Sequence, residues 1–169
     1  MSVSEAREAD RHGDIVNAAA LYEAALQAEE WSIEAVLDLI VLYWQATDPG
    51  EAAARHLSRD FLDIAGRRIP ELLREAQRRY PGHGEVAFWT SYIAWADLGD
   101  EIDESEYRRL LREGATLTPA VYLFSASDGK EARPEALQLL ELCRGQGTSR
   151  AKYIVSVIEA RLRREKGYR

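Results

Sequence analysis

Apolar residues along this chain recur with the spacing of a helix, not of a strand. Ala18, Tyr22, Ala25 and Leu26 fall at i, i+4, i+7 and i+8 and so share one helix face. Sustained apolar–polar alternation is absent, no Asn-Gly hairpin dipeptide occurs, and Gly and Pro fall between the periodic stretches. The chain therefore reads as all-α.

Nine helices are expected. The first runs from about Ser2 to His12, and Gly13-Asp14 supplies a turn and an N-cap oxygen for a second that reaches about Glu30. Ser32 caps a third, with Val36, Leu39, Ile40, Tyr43 and Trp44 on its inner side, and Asp48-Pro49-Gly50 stops it. Residues 51–80 form one long helical region that Gly66 and Pro70 should kink or break, because proline lacks an N–H and biases Ile69 away from αR. Pro81-Gly82-His83-Gly84 ends it. A helix from Glu85 to Leu98 is the most hydrophobic of all, and Gly99-Asp100 then leads through Glu101, Asp103, Glu104 and Glu106 into a helix that Gly114 closes. Thr118-Pro119 starts a short helix to about Ser127, and Pro134 opens another that Gly145 and Gly147 terminate. Thr148 caps the last, where Ile154, Val157, Ile158 and Leu162 make an apolar stripe.

Grouped in order, these make antiparallel pairs over about 2–31, 32–81, 82–116 and 117–147, with residues 148–166 as a capping helix. The period is near thirty-odd residues. The turn Gly13-Asp14 with Ala18, Tyr22 and Ala25 resembles the turn and second helix of a tetratricopeptide repeat. In the third pair Tyr80-Pro81, Phe88, Trp95 and Gly99-Asp100 resemble the closing proline, first-helix aromatics and turn of that repeat. Tyr92 departs from it, standing where the pattern has Gly or Ala, and the second and fourth pairs match only in turn placement and helix length. The resemblance implies a short right-handed α-solenoid, formed as a single helical-repeat domain over residues 1–169, whose concave face captures a peptide or helix of another protein.

By that resemblance Val86, Trp89, Ile93 and Asp97 line the concave face, with Asp38, Leu42 and Gln45 beside them, while Phe88, Tyr92 and Trp95 pack inward. Large aromatics on a groove are typical binding anchors. The alternative is that Phe88, Trp89, Tyr92, Ile93 and Trp95 are all core, since a helix hydrophobic all round is usually a buried one. Some members of the family grip a C-terminal carboxylate with Lys and Asn. Asp38 and Trp89 stand at the equivalent positions here, so a basic or apolar segment is the better ligand.

Composition narrows the function further. The chain has 169 residues, 46% of them hydrophobic and 30% charged, enough for a continuous core and too apolar for wholesale disorder. Its net charge is -7, but residues 148–169 hold seven Lys or Arg against two Glu, which leaves -12 on residues 1–147. An acidic body disfavours nucleic acid and favours a basic partner, while the basic last helix complements its own C-terminal dipole. No run approaches a membrane span, the N-terminus lacks an apolar leader, and the lone Cys143 fits a reducing compartment, so a cytoplasmic protein is expected.

No catalytic or metal constellation is expected, and no cofactor. His12, His56 and His83 lie 44 and 27 residues apart, and Asp97, Asp100 and Asp103 step by three, not by the two of a calcium loop. The leading expectation is therefore an adaptor or chaperone-like binder, not an enzyme. A narrower one is a bacterial immunity protein that neutralises a basic toxin such as a nuclease; self-association through the aromatic helix or the last helix is a further option.

Overall fold

The computed structural model describes residues 2–28 and 31–167. Among these residues there are ten helices and no strand. They are α1 (Val3–Arg11), α2 (Ile15–Gln27), α3 (Ile33–Ala46), α4 (Pro49–Ala54), α5 (Arg59–Arg79), α6 (Gly84–Leu98), α7 (Glu104–Arg112), α8 (Ala120–Ala126), α9 (Arg133–Arg144) and α10 (Ser149–Gly167). The chain divides into two compact units, residues 1–81 with 148–150, and residues 82–147 with 151–169. None of the helices is long and apolar enough to cross a membrane.

In the first unit α1 packs on α2, α2 on α3, and α3 on both α4 and α5. Local chemistry fixes the starts. Ser2 and Glu5 form a reciprocal capping box on α1, and the Ser32 hydroxyl accepts from the Ala35 N–H at 3.1 Å. The α2 face foreseen from spacing is the buried one: Ala18, Tyr22, Ala25 and Leu26 all lie in the core. Its small residues admit α1 and α3, and burying Tyr22 and Leu26 contributes about 1.5–3 kcal/mol each. Helix α3 is buried over 11 of its 14 residues and forms the centre of the unit.

Three local expectations need correction. The Asp14 side chain makes no capping bond; with Gly13 at φ +76°, the turn closes through the backbone, Gly13 N–H to the Asp10 carbonyl at 2.9 Å and Asp14 N–H to the Ala9 carbonyl at 3.0 Å. The long region does not break at Gly66 or Pro70. Helix α5 continues through both because Ala65, Ile69, Leu72, Leu73 and Ala76 form a continuous buried stripe, and that burial outweighs the one N–H that proline removes. The break comes earlier, at residues 55–58, where His56 adopts φ +52° and Ser58 starts α5 by accepting from the Phe61 N–H at 3.2 Å. Helix α3 ends at Ala46, just before Asp48-Pro49-Gly50 as expected, but Pro49 does more than follow that end. It opens α4 behind Asp48, whose carboxylate accepts from Gly50 and Glu51, and α4 is the tenth helix.

In the second unit α7 packs on α8 and α8 on α9, while aromatic side chains join α6 to α7, α8 and α10. Gly99, at φ +72°, ends α6 in the left-handed conformation that favours glycine. Asp103 accepts from the Ser105 and Glu106 N–H groups and starts α7. Thr118 is not a helix cap: α8 starts at Ala120 behind Pro119, and the Thr118 hydroxyl donates to Glu85.

Candidate functional site

Five of the seven residues assigned to a concave face lie inside the protein. Asp38 and Leu42 are buried in the first unit, and Val86, Trp89 and Ile93 in the second; Gln45 is half-buried and Asp97 is exposed. Side chains enclosed in this way have no surface to offer a partner. Asp38 and Trp89 in particular are committed to residues of their own chain.

Around Asp38 the first unit holds a buried charged cluster. Arg7 Nε donates to one carboxylate oxygen at 2.9 Å and Arg150 Nε to the other at 2.8 Å, while Arg150 also reaches Glu34. A few residues away in sequence, the Asp10 carboxylate accepts from the Ser149 N–H at 3.0 Å and the Ser149 hydroxyl at 2.6 Å. An aspartate of α1 thus supplies the oxygen that satisfies the first N–H of α10, where the helix dipole favours negative charge. The Tyr22 hydroxyl lies buried near Asp38 and Asp10 with no hydrogen-bond partner. Burial, and then those two carboxylates, push its ionisation far above the ordinary tyrosine value. The expected ligand of Asp38 was a basic segment, and the position does hold arginines, but they are the chain's own.

The second unit is organised by a ladder of rings. Trp89 is fully enclosed, with its indole N–H donating to Glu85 at 3.2 Å, and Glu85 also accepts the hydroxyls of Thr116 and Thr118. Phe88 stacks on Tyr92 at 5.0 Å and meets Tyr107 at 5.1 Å. The Tyr92 and Tyr153 hydroxyls share a 2.7 Å bond, which ties α6 to α10. The ladder ends at Trp95, whose ring meets Tyr92 and stands edge-on to Tyr122, both at 5.3 Å.

Trp95 was assigned to the interior and instead reaches the surface, 39% exposed, one turn before Leu98 at 77%. Phe88 and Tyr92 are buried as the repeat resemblance implied, but Val86, Trp89 and Ile93 are buried with them and Trp95 is not, so α6 is enclosed on most sides until its last turn. Val86, Trp89 and Ile93 step by three and four and form one apolar stripe, and that stripe faces the core. Beyond Trp95 the chain turns sharply acidic. Residues 97–106 contain Asp97, Asp100, Glu101, Asp103, Glu104 and Glu106, and no Lys or Arg occurs from 95 to 107. Asp97, Leu98, Asp100, Glu101 and Asp103 are all exposed. An apolar tip set in a negative field can hold an apolar, positively charged segment.

No three His, Cys, Asp or Glu side chains converge among the described residues as a metal site requires. The sequence carried a signal for the α6 surface, an aromatic just before a run of carboxylates at a helix end. It carried none for the charged cluster, whose members lie 112 and 139 residues apart. Compared with known proteins, the chain matches no family model, no curated protein and no solved structure.

Proposed function

We propose that this chain is a protein-binding module whose anchor is the C-terminal end of α6, and that it takes a basic, apolar segment of a partner. One observation carries the reading: Trp95 and Leu98 stand exposed at the head of an acidic run in which Asp100, Glu101 and Asp103 are exposed, while Glu104 and Glu106 further on are held by Arg108 and Arg109. Apolar contact with the ring supplies affinity, and the field supplies steering and choice of charge. Tetratricopeptide-like stacking of helix pairs belongs to the same proposal. It draws support from the Gly13 turn, the buried Ala18, Tyr22 and Ala25 face, and the packing of α1, α2 and α3 in succession.

The test is a pull-down from the native organism's lysate with wild-type chain, Trp95→Ala and the double variant Asp100→Lys/Glu101→Lys. Each variant should keep its helical circular dichroism and lose the captured protein. Capture of the same protein by both variants would sink the proposal. A narrower form, neutralisation of a basic toxin such as a nuclease, draws on the same carboxylate density, and a secreted nuclease encoded directly upstream would single it out.

A further inference from the structure

We infer that the partner taken at the end of α6 is a second copy of this chain, engaged through the arginine-rich end of its α10. This rests on the reading of the Trp95–Glu101 surface given above. The basic bias of the last helix resolves into two sets of residues. Arg150 and Arg161 serve their own copy, the first at Asp38 and Glu34, the second at Asp128 with 2.9 Å to the carboxylate and 2.7 Å to the carbonyl. Arg163, Arg164 and Lys166 are exposed at the end of the helix.

The nearest carboxylates on α10 do not balance that end. Glu159 is shared between Arg144 at 3.3 Å and Arg163 at 3.7 Å, and Glu165 is held by Arg133 at 3.0 Å. A positive surplus therefore remains where the α6 end has a negative one. Beside the basic end opens a cavity of about 270 Å³ whose lining includes Cys143, Val155 and Arg163. It offers apolar wall and flanking charge together, which suits an exposed leucine such as Leu98. Arginine also suits Trp95, because a guanidinium lies well over an indole face. The chain already makes that contact once, with Arg79 4.4 Å above the Trp31 ring.

The two surfaces belong to different elements of one copy, the end of α6 and the end of α10. The Tyr92–Tyr153 bond fixes where α6 meets α10, and Arg164 lies eleven residues further on, about 16 Å along the axis at 1.5 Å per residue. Complementary surfaces at different places on one chain make a heterologous, head-to-tail contact, so assembly grows with concentration and does not stop at a symmetric dimer.

Sedimentation velocity on the full chain across roughly 10 µM to 1 mM tests this. Wild type should gain mass with concentration and lose it near 1 M salt, where the screening length falls to about 3 Å. Arg163→Glu/Arg164→Glu/Lys166→Glu and Asp100→Lys/Glu101→Lys should each be monomeric, with apparent affinity down by roughly tenfold or more. Mixed together, each variant retains the surface the other lacks, so the mixture should form a closed one-to-one pair. Wild type that stays monomeric throughout, association that neither set alters, or a mixture that stays monomeric overturns the inference. The surface reading fails separately, when Trp95→Ala changes neither self-association nor capture of any partner.

Discussion

Replacing Trp89 and Trp95 in turn by alanine separates an inward ring from an outward one on the same helix. Trp89 has no exposed surface, and its removal leaves a cavity among Phe88, Tyr92 and Tyr153. Core Trp→Ala changes cost about 3–5 kcal/mol, and loss of the indole donor to Glu85 adds about 1 kcal/mol. Glu85 keeps the Thr116 and Thr118 hydroxyls, so the addition stays small. Trp95 loses only its contacts with Tyr92 and Tyr122 and a partly buried ring, which is about 1–2 kcal/mol. For a chain of this size each kcal/mol moves Tm by about 2–4 °C, giving drops of roughly 8–24 °C for Trp89→Ala and 2–8 °C for Trp95→Ala. Urea titration followed by circular dichroism measures the difference, and amide exchange over residues 86–93 reports the second unit directly. If Trp89→Ala lies within about 1 kcal/mol of wild type, or Trp95→Ala costs as much as Trp89→Ala, the assigned phase of α6 is wrong.

Three further outcomes follow from the geometry. Asp38→Ala should destabilise the first unit by about 1.5–3 kcal/mol, since it removes the carboxylate that Arg7 and Arg150 share while Arg150 keeps Glu34; a urea midpoint near wild type would refute the cluster's weight. Tyr22→Phe removes a buried hydroxyl that has no partner, so stability should hold within about 0.5 kcal/mol or rise, and a loss above about 1.5 kcal/mol would mean the hydroxyl is satisfied. Burial pushes the Tyr107 phenol up to about 12 against an ordinary 10, so the stability it contributes is complete below pH 10 and is lost as pH rises from about 10 to 12. Phenolate absorbance during an alkaline titration should show Tyr107 ionising late, and Tyr107→Phe should flatten stability over that interval.

Spacing alone was enough to place most helices and the buried face of α2, because those features depend on near neighbours. Ser32, Gly99 and the acidic lead into α7 also act locally, and each does its expected work. Where a choice depended on distant residues, the sequence was ambiguous. Helix α6 is apolar on nearly every side, so its composition does not say which ring turns inward; Tyr107, Thr116 and Tyr153 decide it from other elements. The same holds for Pro70, whose local effect is reversed by a buried stripe packed against α3. Asp38 was recognisable as an acidic position seeking a cation, but nothing near it in sequence pointed to Arg150.

The central claim is that the end of α6 is where a partner sits, and photo-crosslinking tests it most directly. A photoreactive side chain at Leu98, 77% exposed, is compared in the native cell with one at Val16, 51% exposed on α2 in the other unit. A discrete adduct from position 98, carrying a basic apolar segment or this chain's own α10, and none from position 16, is the expected result. No adduct from 98, or equal adducts from both positions, contradicts it.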